Sequence, residues 1–75
     1  MLKVFSATWC PACKQVKQFL KQNNIPFEEK DIDADQEAYA VLKKLQLRSI
    51  PVTYLDDNNY IVGADLKKIL ELSKK

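Results

Sequence analysis

The chain predicts an α/β fold, a mixed four-stranded sheet with helices on both faces, in the order β-α-β-α-β-β-α. Three observations predict it. The apolar pattern switches repeatedly between the short runs of strands and the three- and four-residue spacing of helices. Gly63 is the only glycine and there are three prolines among 75 residues, so most of the chain belongs in regular elements. Two segments rich in β-formers flank the cluster Asp56-Asp57-Asn58-Asn59, the pattern of a β-hairpin.

Taken in order, the apolar run Leu2 to Phe5 suits a buried strand. Cys13, Val16, Phe19 and Leu20 then recur on one helix face, with Pro11 placed in the first turn and Asn23-Asn24 ending the helix. Pro26 begins an extended stretch, Phe27 to Ile32, whose interleaved charges mark a polar edge strand. Asp33 or Asp35 caps a second helix running to about Leu45, with Ala38, Val41, Leu42 and Leu45 as its apolar stripe. Val52 to Leu55 and Tyr60 to Val62 form the hairpin. Gly63-Ala64-Asp65 opens a last helix carrying Leu66, Ile69 and Leu70. A strand–helix–strand start gives a parallel pair with a right-handed crossover, and the hairpin adds antiparallel strands.

Composition sets the bounds. A hydrophobic fraction of 47% suffices for a globular fold, and residues 1–75 read as one domain without linker or repeat. The domain is near the lower size limit for a usable core. A net charge of +2 is too small to argue for nucleic acid. Lys14, Lys17 and Lys21 share a helix face, which reads as a solvated one. No segment approaches the ~18 apolar residues of a membrane span, and Met1 leads into the first strand without a signal-peptide pattern. The expected location is the cytoplasm, where a cysteine pair is catalytic or metal-binding more often than structural.

Cys10-Pro11-Ala12-Cys13 contains both cysteines of the chain. Positions three apart on a helix share a face, close enough to close a disulfide and reopen it. Cys10, at or before the first turn, lies where unpaired N–H groups and the helix dipole favour a thiolate. It would attack a substrate disulfide; Cys13, one turn deeper, would resolve the mixed disulfide. Pro11 and Ala12 shape the helix start, Trp9 can shield one side of the sulfur, and Lys14 adds positive charge. A zinc site needs about four Cys or His ligands, and this chain offers two Cys and no His. No metal is expected unless two chains share their pairs, as for an iron–sulfur cluster with external thiols. A structural disulfide here would close too small a loop to stabilise much. A dimeric metal or cluster carrier and a redox-switched binding module remain as readings from other functional classes.

With this motif and element order, the chain resembles the thioredoxin/glutaredoxin superfamily over nearly its full length. Ala7-Thr8-Trp9-Cys10-Pro11-Ala12-Cys13-Lys14 is similar to the thioredoxin active-site segment, whereas Pro directly after the first Cys is the glutaredoxin habit. The length and the Glu29-Lys30-Asp31-Ile32-Asp33 stretch also resemble glutaredoxins and their small redoxin relatives. The resemblance implies a thioredoxin-like fold of glutaredoxin size. It implies a thiol–disulfide oxidoreductase with a redox-active Cys10–Cys13 disulfide, no bound cofactor, and disulfide-containing proteins as substrates. Arg48-Ser49-Ile50-Pro51 matches the signature before the third strand, which implies a cis Pro51 and an Ile50 backbone that pairs with an extended substrate. Gly63-Ala64-Asp65 falls where glutaredoxins bind the γ-glutamyl carboxylate of glutathione at a helix start. Arg48 would hold the glycyl carboxylate. The second Gly is Ala here, Asp65 is one residue closer, and Ala7 replaces a frequent Lys. The reading therefore favours a monomer re-reduced by a thioredoxin-reductase-type flavoenzyme over one re-reduced by glutathione, with a ribonucleotide reductase as a client by family analogy.

Overall fold

Side chains alternate across a strand, so a nearly continuous apolar strand must be covered on both faces. The first strand shows the consequence. In the computed structural model, which describes residues 2–74, β1 (Leu2–Ser6) has a neighbour on each side in a sheet of order β2-β1-β3-β4. The other strands are β2 (Phe27–Asp31), β3 (Val52–Asp56) and β4 (Asn59–Val62). The helices are α1 (Pro11–Gln22), α2 (Gln36–Lys44) and α3 (Leu66–Ser73). Leu2 and Val4 pack with Val16 and Leu20 of α1 and with Ile69 and Leu72 of α3. Phe5 and Val52 pack on the opposite face with Ala38 and Leu42 of α2.

β1 runs parallel to β2 and antiparallel to β3, and β3 pairs antiparallel with β4. The expected β-α-β-α-β-β-α order, the mixed sheet and the polar edge strand are all present. The hairpin is tighter than the composition suggested. Asp56 and Asn59 pair across it, leaving Asp57-Asn58 as a two-residue turn. Asp56 accepts from the Asn58 N–H at 2.8 Å and from the Asn59 amide at 3.0 Å, which draws both ends into the ladder.

Asp35, not Asp33, caps α2, its Oδ1 accepting the N–H groups of Glu37 at 3.0 Å and Ala38 at 3.2 Å. α1 and α2 end in the same way. Asn24 (φ 56°) and Gln46 (φ 60°) adopt the left-handed conformation. The next residue donates back five positions, Ile25 to the Leu20 carbonyl and Leu47 to the Leu42 carbonyl, both at 2.9 Å. Each is a Schellman closure, with an apolar contact sealing it. These closures set where β2 begins and where the loop from Leu45 to Pro51 departs. In α3 the inward residues are Ile69 and Leu72, with Leu66 packed beside them. Leu70, expected in that stripe, is half-buried at the margin.

Candidate active site

β1 runs out at Ser6, and the chain turns through Ala7, Thr8 and Trp9 into α1. The turn closes with the Cys10 N–H donating to the Ala7 carbonyl at 3.2 Å. Cys10 has extended backbone (φ −100°, ψ 108°) and is the N-cap of α1. Its Sγ accepts the Cys13 N–H at 3.2 Å, so a thiol occupies the place where a Ser or Asp oxygen normally satisfies a first-turn donor. Pro11 follows at the helix start, where a missing N–H costs nothing. The Cys10 sulfur therefore sits on the positive end of a helix, aimed at by a backbone donor, where negative charge on it would be favoured.

Cys13 lies one turn deeper with no exposed surface, and Cys10 is 5% exposed; both are free thiols. Ala7, Ala12, Ile32 and Ile50 pack around the pair. Burial pushes the Cys13 thiol up to about 12, helped by its hydrogen bond to the Cys10 sulfur and that sulfur's charge. The Ala7 N–H and the Lys17 ammonium oppose the shift. The two sulfurs are thus chemically unequal: Cys10 caps the helix start, and Cys13 lies one turn deeper and is held protonated.

The loop before β3 completes the site. The Ile50–Pro51 bond is cis, as the family resemblance implied. Ile50 packs against the cysteines, and the Pro51 carbonyl accepts the Gly63 N–H at 2.8 Å, which brings the start of the last helical segment beside the loop. Gly63 has φ +94°, a conformation a Cβ disfavours. Asp65 caps α3, its Oδ1 accepting the Lys68 N–H at 3.2 Å, so this carboxylate already satisfies the helix start. Ala64 beside it is exposed, as are Pro11, Lys14, Arg48 and Ser49, while Ala12 is half-buried.

Trp9 behaves differently from the expected shield. Its indole is 67% exposed, and its Nε1–H donates to Asp33 Oδ2 at 3.0 Å. Asp33 is itself held by its N–H donating to Asp31 Oδ1 at 2.9 Å. The apolar cover of the sulfurs comes instead from Ile32 and Ile50. Trp9, Ile32, Tyr39, Leu47, Arg48 and Ile50 line an open groove of about 990 Å³ between the sulfurs and α2. A second departure concerns Lys17. Sequence places it on a solvated face with Lys14 and Lys21, yet its side chain is 18% exposed and its Nζ meets Glu29 Oε1 at 2.6 Å. The Lys side chain is a long apolar stem with a charged tip, and only a carboxylate across the helix–strand seam makes it lie down.

Among the described residues, no group of three or more His, Cys, Asp or Glu is placed to hold a metal ion. No helix among them is long and apolar enough to cross a membrane. Tyr39, Asp33 and Lys17 are the site-region residues that motif reading missed. Asp33 stands in the sequence as a capping candidate and in the glutaredoxin-like stretch, Lys17 as part of a solvated face, and Tyr39 carries no signal there.

The glutaredoxin family model matches residues 2–61. A glutaredoxin-like 8.6 kDa protein of the rubredoxin operon of Clostridium pasteurianum is 35% identical over 75 residues, covering 95% of this chain and 99% of its own. The glutaredoxin-like protein NrdH of Lactococcus lactis is 35% identical over 57 residues, 76% of this chain and 79% of its own. The crystal structure of the thioredoxin-like protein BC3987 superposes with a TM-score of 0.84 at 32% identity, covering 96% of this chain and 99% of that one. With a dithiol on a helix start, a cis-proline loop beside it and this likeness along its length, the chain belongs to the glutaredoxin family, and its chemistry is thiol–disulfide exchange.

Proposed function

We propose that this chain is a monomeric, single-domain cytoplasmic reductant of protein disulfides, working through both thiols. The observation that carries the reading is the inequality of the two sulfurs: Cys10 caps α1 and Cys13 is buried and held protonated. The Cys10 thiolate attacks a substrate disulfide, forming a Cys10–substrate bond and expelling one substrate sulfur as thiolate. Cys13 then loses its proton and attacks the Cys10 sulfur, releasing the second substrate thiolate and leaving a Cys10–Cys13 disulfide. The substrate gains two electrons and the protein loses two. Capture of the substrate itself prepares the second step, because two of the causes that hold the Cys13 proton are the Cys10 hydrogen bond and charge, and a mixed disulfide removes that charge.

The groove lined by Trp9, Arg48 and Ile50 receives the extended substrate, which pairs with the Ile50 backbone, while Ser49, Pro51 and Gly63, the last two joined by a hydrogen bond, shape the loop beside it. Asp65 already caps α3 and Ala64 stands where a second glycine would bring the backbone closer to a ligand, which weakens a glutathione carboxylate site there. The reading is re-reduction by a thioredoxin-reductase-type flavoenzyme, with a ribonucleotide reductase as the client suggested by family analogy. The test couples the protein and a disulfide-bonded protein substrate to NADPH through thioredoxin reductase in one assay, and through glutathione with its reductase in another. NADPH oxidation with the flavoenzyme supports the proposal. Turnover with glutathione alone would overturn the choice of reductant, and turnover with neither would overturn the function.

A further inference from the structure

We propose that Lys17, tied down by Glu29, is the positioning residue for the resolving step, holding a positive charge one helical turn beyond the buried sulfur of Cys13. The inference rests on the dithiol reading above and adds a residue to it.

Residues four apart lie one above the other on a helix, and helical side chains lean back toward the N-terminus. The Lys17 stem therefore lies over the turn that carries Cys13. Lys14 and Lys21, nominally on the same face, are exposed, whereas the Lys17 side chain is 18% exposed. Its ammonium is fixed by Glu29 at 2.6 Å. Glu29 pairs with Val4 in the parallel register, on the sheet face that α1 covers. A cation is thus lodged in the seam between α1 and β2, on the same side of the sheet as the resolving sulfur.

The groups around Cys13 are few. Its own helix supplies the Cys10 thiol and Lys17, and β2 presents Glu29 and Asp31 on the face toward α1. The turn after β1 presents the Ala7 N–H, and the loop before β3 presents the apolar Ile50. Asp31 is engaged with the Asp33 N–H. Lys17 and the Ala7 N–H are the two influences that favour the Cys13 thiolate against burial. Once Cys10 is bonded to substrate, its sulfur carries no charge, and the charge of Lys17 still favours ionisation of the Cys13 sulfur. The proton leaves to water, and no further reactant is needed.

The test uses dithiodipyridine, a neutral disulfide that releases one coloured pyridinethione when Cys10 attacks and a second when Cys13 resolves. It is supplied below the protein concentration, so that the second release is intramolecular. Lys17→Met keeps the stem and removes the charge. Its second release should slow about three- to tenfold near neutral pH, with the rate midpoint moved to higher pH and the first release unchanged. Lys17→Arg should restore it. Glu29→Gln keeps an oxygen acceptor but removes a negative charge, so its midpoint should move the opposite way. Thermal melts verify that each variant is folded. Identical second-release profiles for wild type and Lys17→Met would overturn the proposal. So would parallel slowing of both releases, or the same direction of shift in Lys17→Met and Glu29→Gln, the mark of a merely structural role. A wild-type protein that releases one equivalent only would overturn the dithiol reading, and this inference with it.

Discussion

On the face that α1 and α3 cover, Val4, Val16, Leu20 and Ile69 have no exposed surface. On the face that α2 covers, the helix buries Ala38 and Leu42, while Tyr39 is 58% exposed and a groove opens between α2 and the sulfurs. Both faces share β1, whose Val4 points one way and Phe5 the other. The difference corresponds to two tasks. Exchange between Cys10 and Cys13 needs a fixed helix start, which close packing of α1 secures. In the function proposed above, recognition of varied disulfides needs accessible apolar and cationic surface, and Trp9, Tyr39 and Arg48 line the groove on the α2 face that would offer it.

The sharpest way to break this comparison acts at the sulfurs. Cys10→Ser should abolish reduction of protein disulfides in the NADPH-coupled assay. Cys13→Ser should instead accumulate a covalent adduct through Cys10, visible by intact-mass spectrometry and released by dithiothreitol. Absence of that adduct would mean that the packed face does not hold the resolving thiol.

The next effect is on stability. Leu20→Ala on the packed face should cost about 3–5 kcal/mol in urea unfolding, and Leu42→Ala on the open face nearer 2 kcal/mol, because the groove lets neighbours collapse into the gap. Equal losses would show that the faces are equally packed. Tyr39→Ala should reverse the pattern, leaving stability within about 0.5 kcal/mol of wild type. It should raise KM for a protein disulfide about three- to tenfold, the scale of one aromatic contact, and leave reduction of a small disulfide unaffected.

The smallest effect concerns the hairpin edge of the open face. Lys44 and the Tyr54 hydroxyl both hydrogen-bond Asp57, tying the end of α2 to the β3–β4 turn. Lys44 first, and Tyr54 second, hold the Asp57 carboxyl below its ordinary value. Since folding depresses it, its contribution is present above the unfolded carboxyl value of about 3.9 and is lost as pH falls through the folded one. The same bond to Asp57 raises Tyr54 from 10.0 to about 12, so that contribution is full below the unfolded value and fades as pH rises toward 12. Asp57→Asn should therefore melt with a shallower acid dependence than wild type. In a spectrophotometric titration it should also return Tyr54 toward an ordinary tyrosine. An unchanged titration would disconnect the hairpin from α2.

Much of the fold and of the site is legible in the sequence. The switch from strand to helix after Phe5, the polar edge strand and the hairpin are local patterns of two- and 3.6-residue period. Cys10 and Cys13 stand three apart on one helix, so their pairing is written in the chain itself. Asn23-Asn24 marks the end of α1 in the sequence, but the Schellman closure at Gln46 is hidden, because that position holds neither the Gly nor the Asn that usually marks one. Leu70 and Leu72 both fit an apolar stripe, and only the packing of α3 against the core of Leu2, Val4 and Leu20 chooses Leu72.

By itself, then, the sequence determined the reaction and the order of elements, since a dithiol at a strand-to-helix junction and the period of apolar residues are properties of neighbours in the chain. Tertiary structure alone decided which charges and rings serve that dithiol. Trp9 turns to Asp33 across 24 residues, Lys17 to Glu29 across 12, and Gly63 reaches back to Pro51. A lysine on a helix face carries no local mark of whether it will meet water or a carboxylate. That depends on the strand that packs beneath it, and for Lys17 the strand is β2.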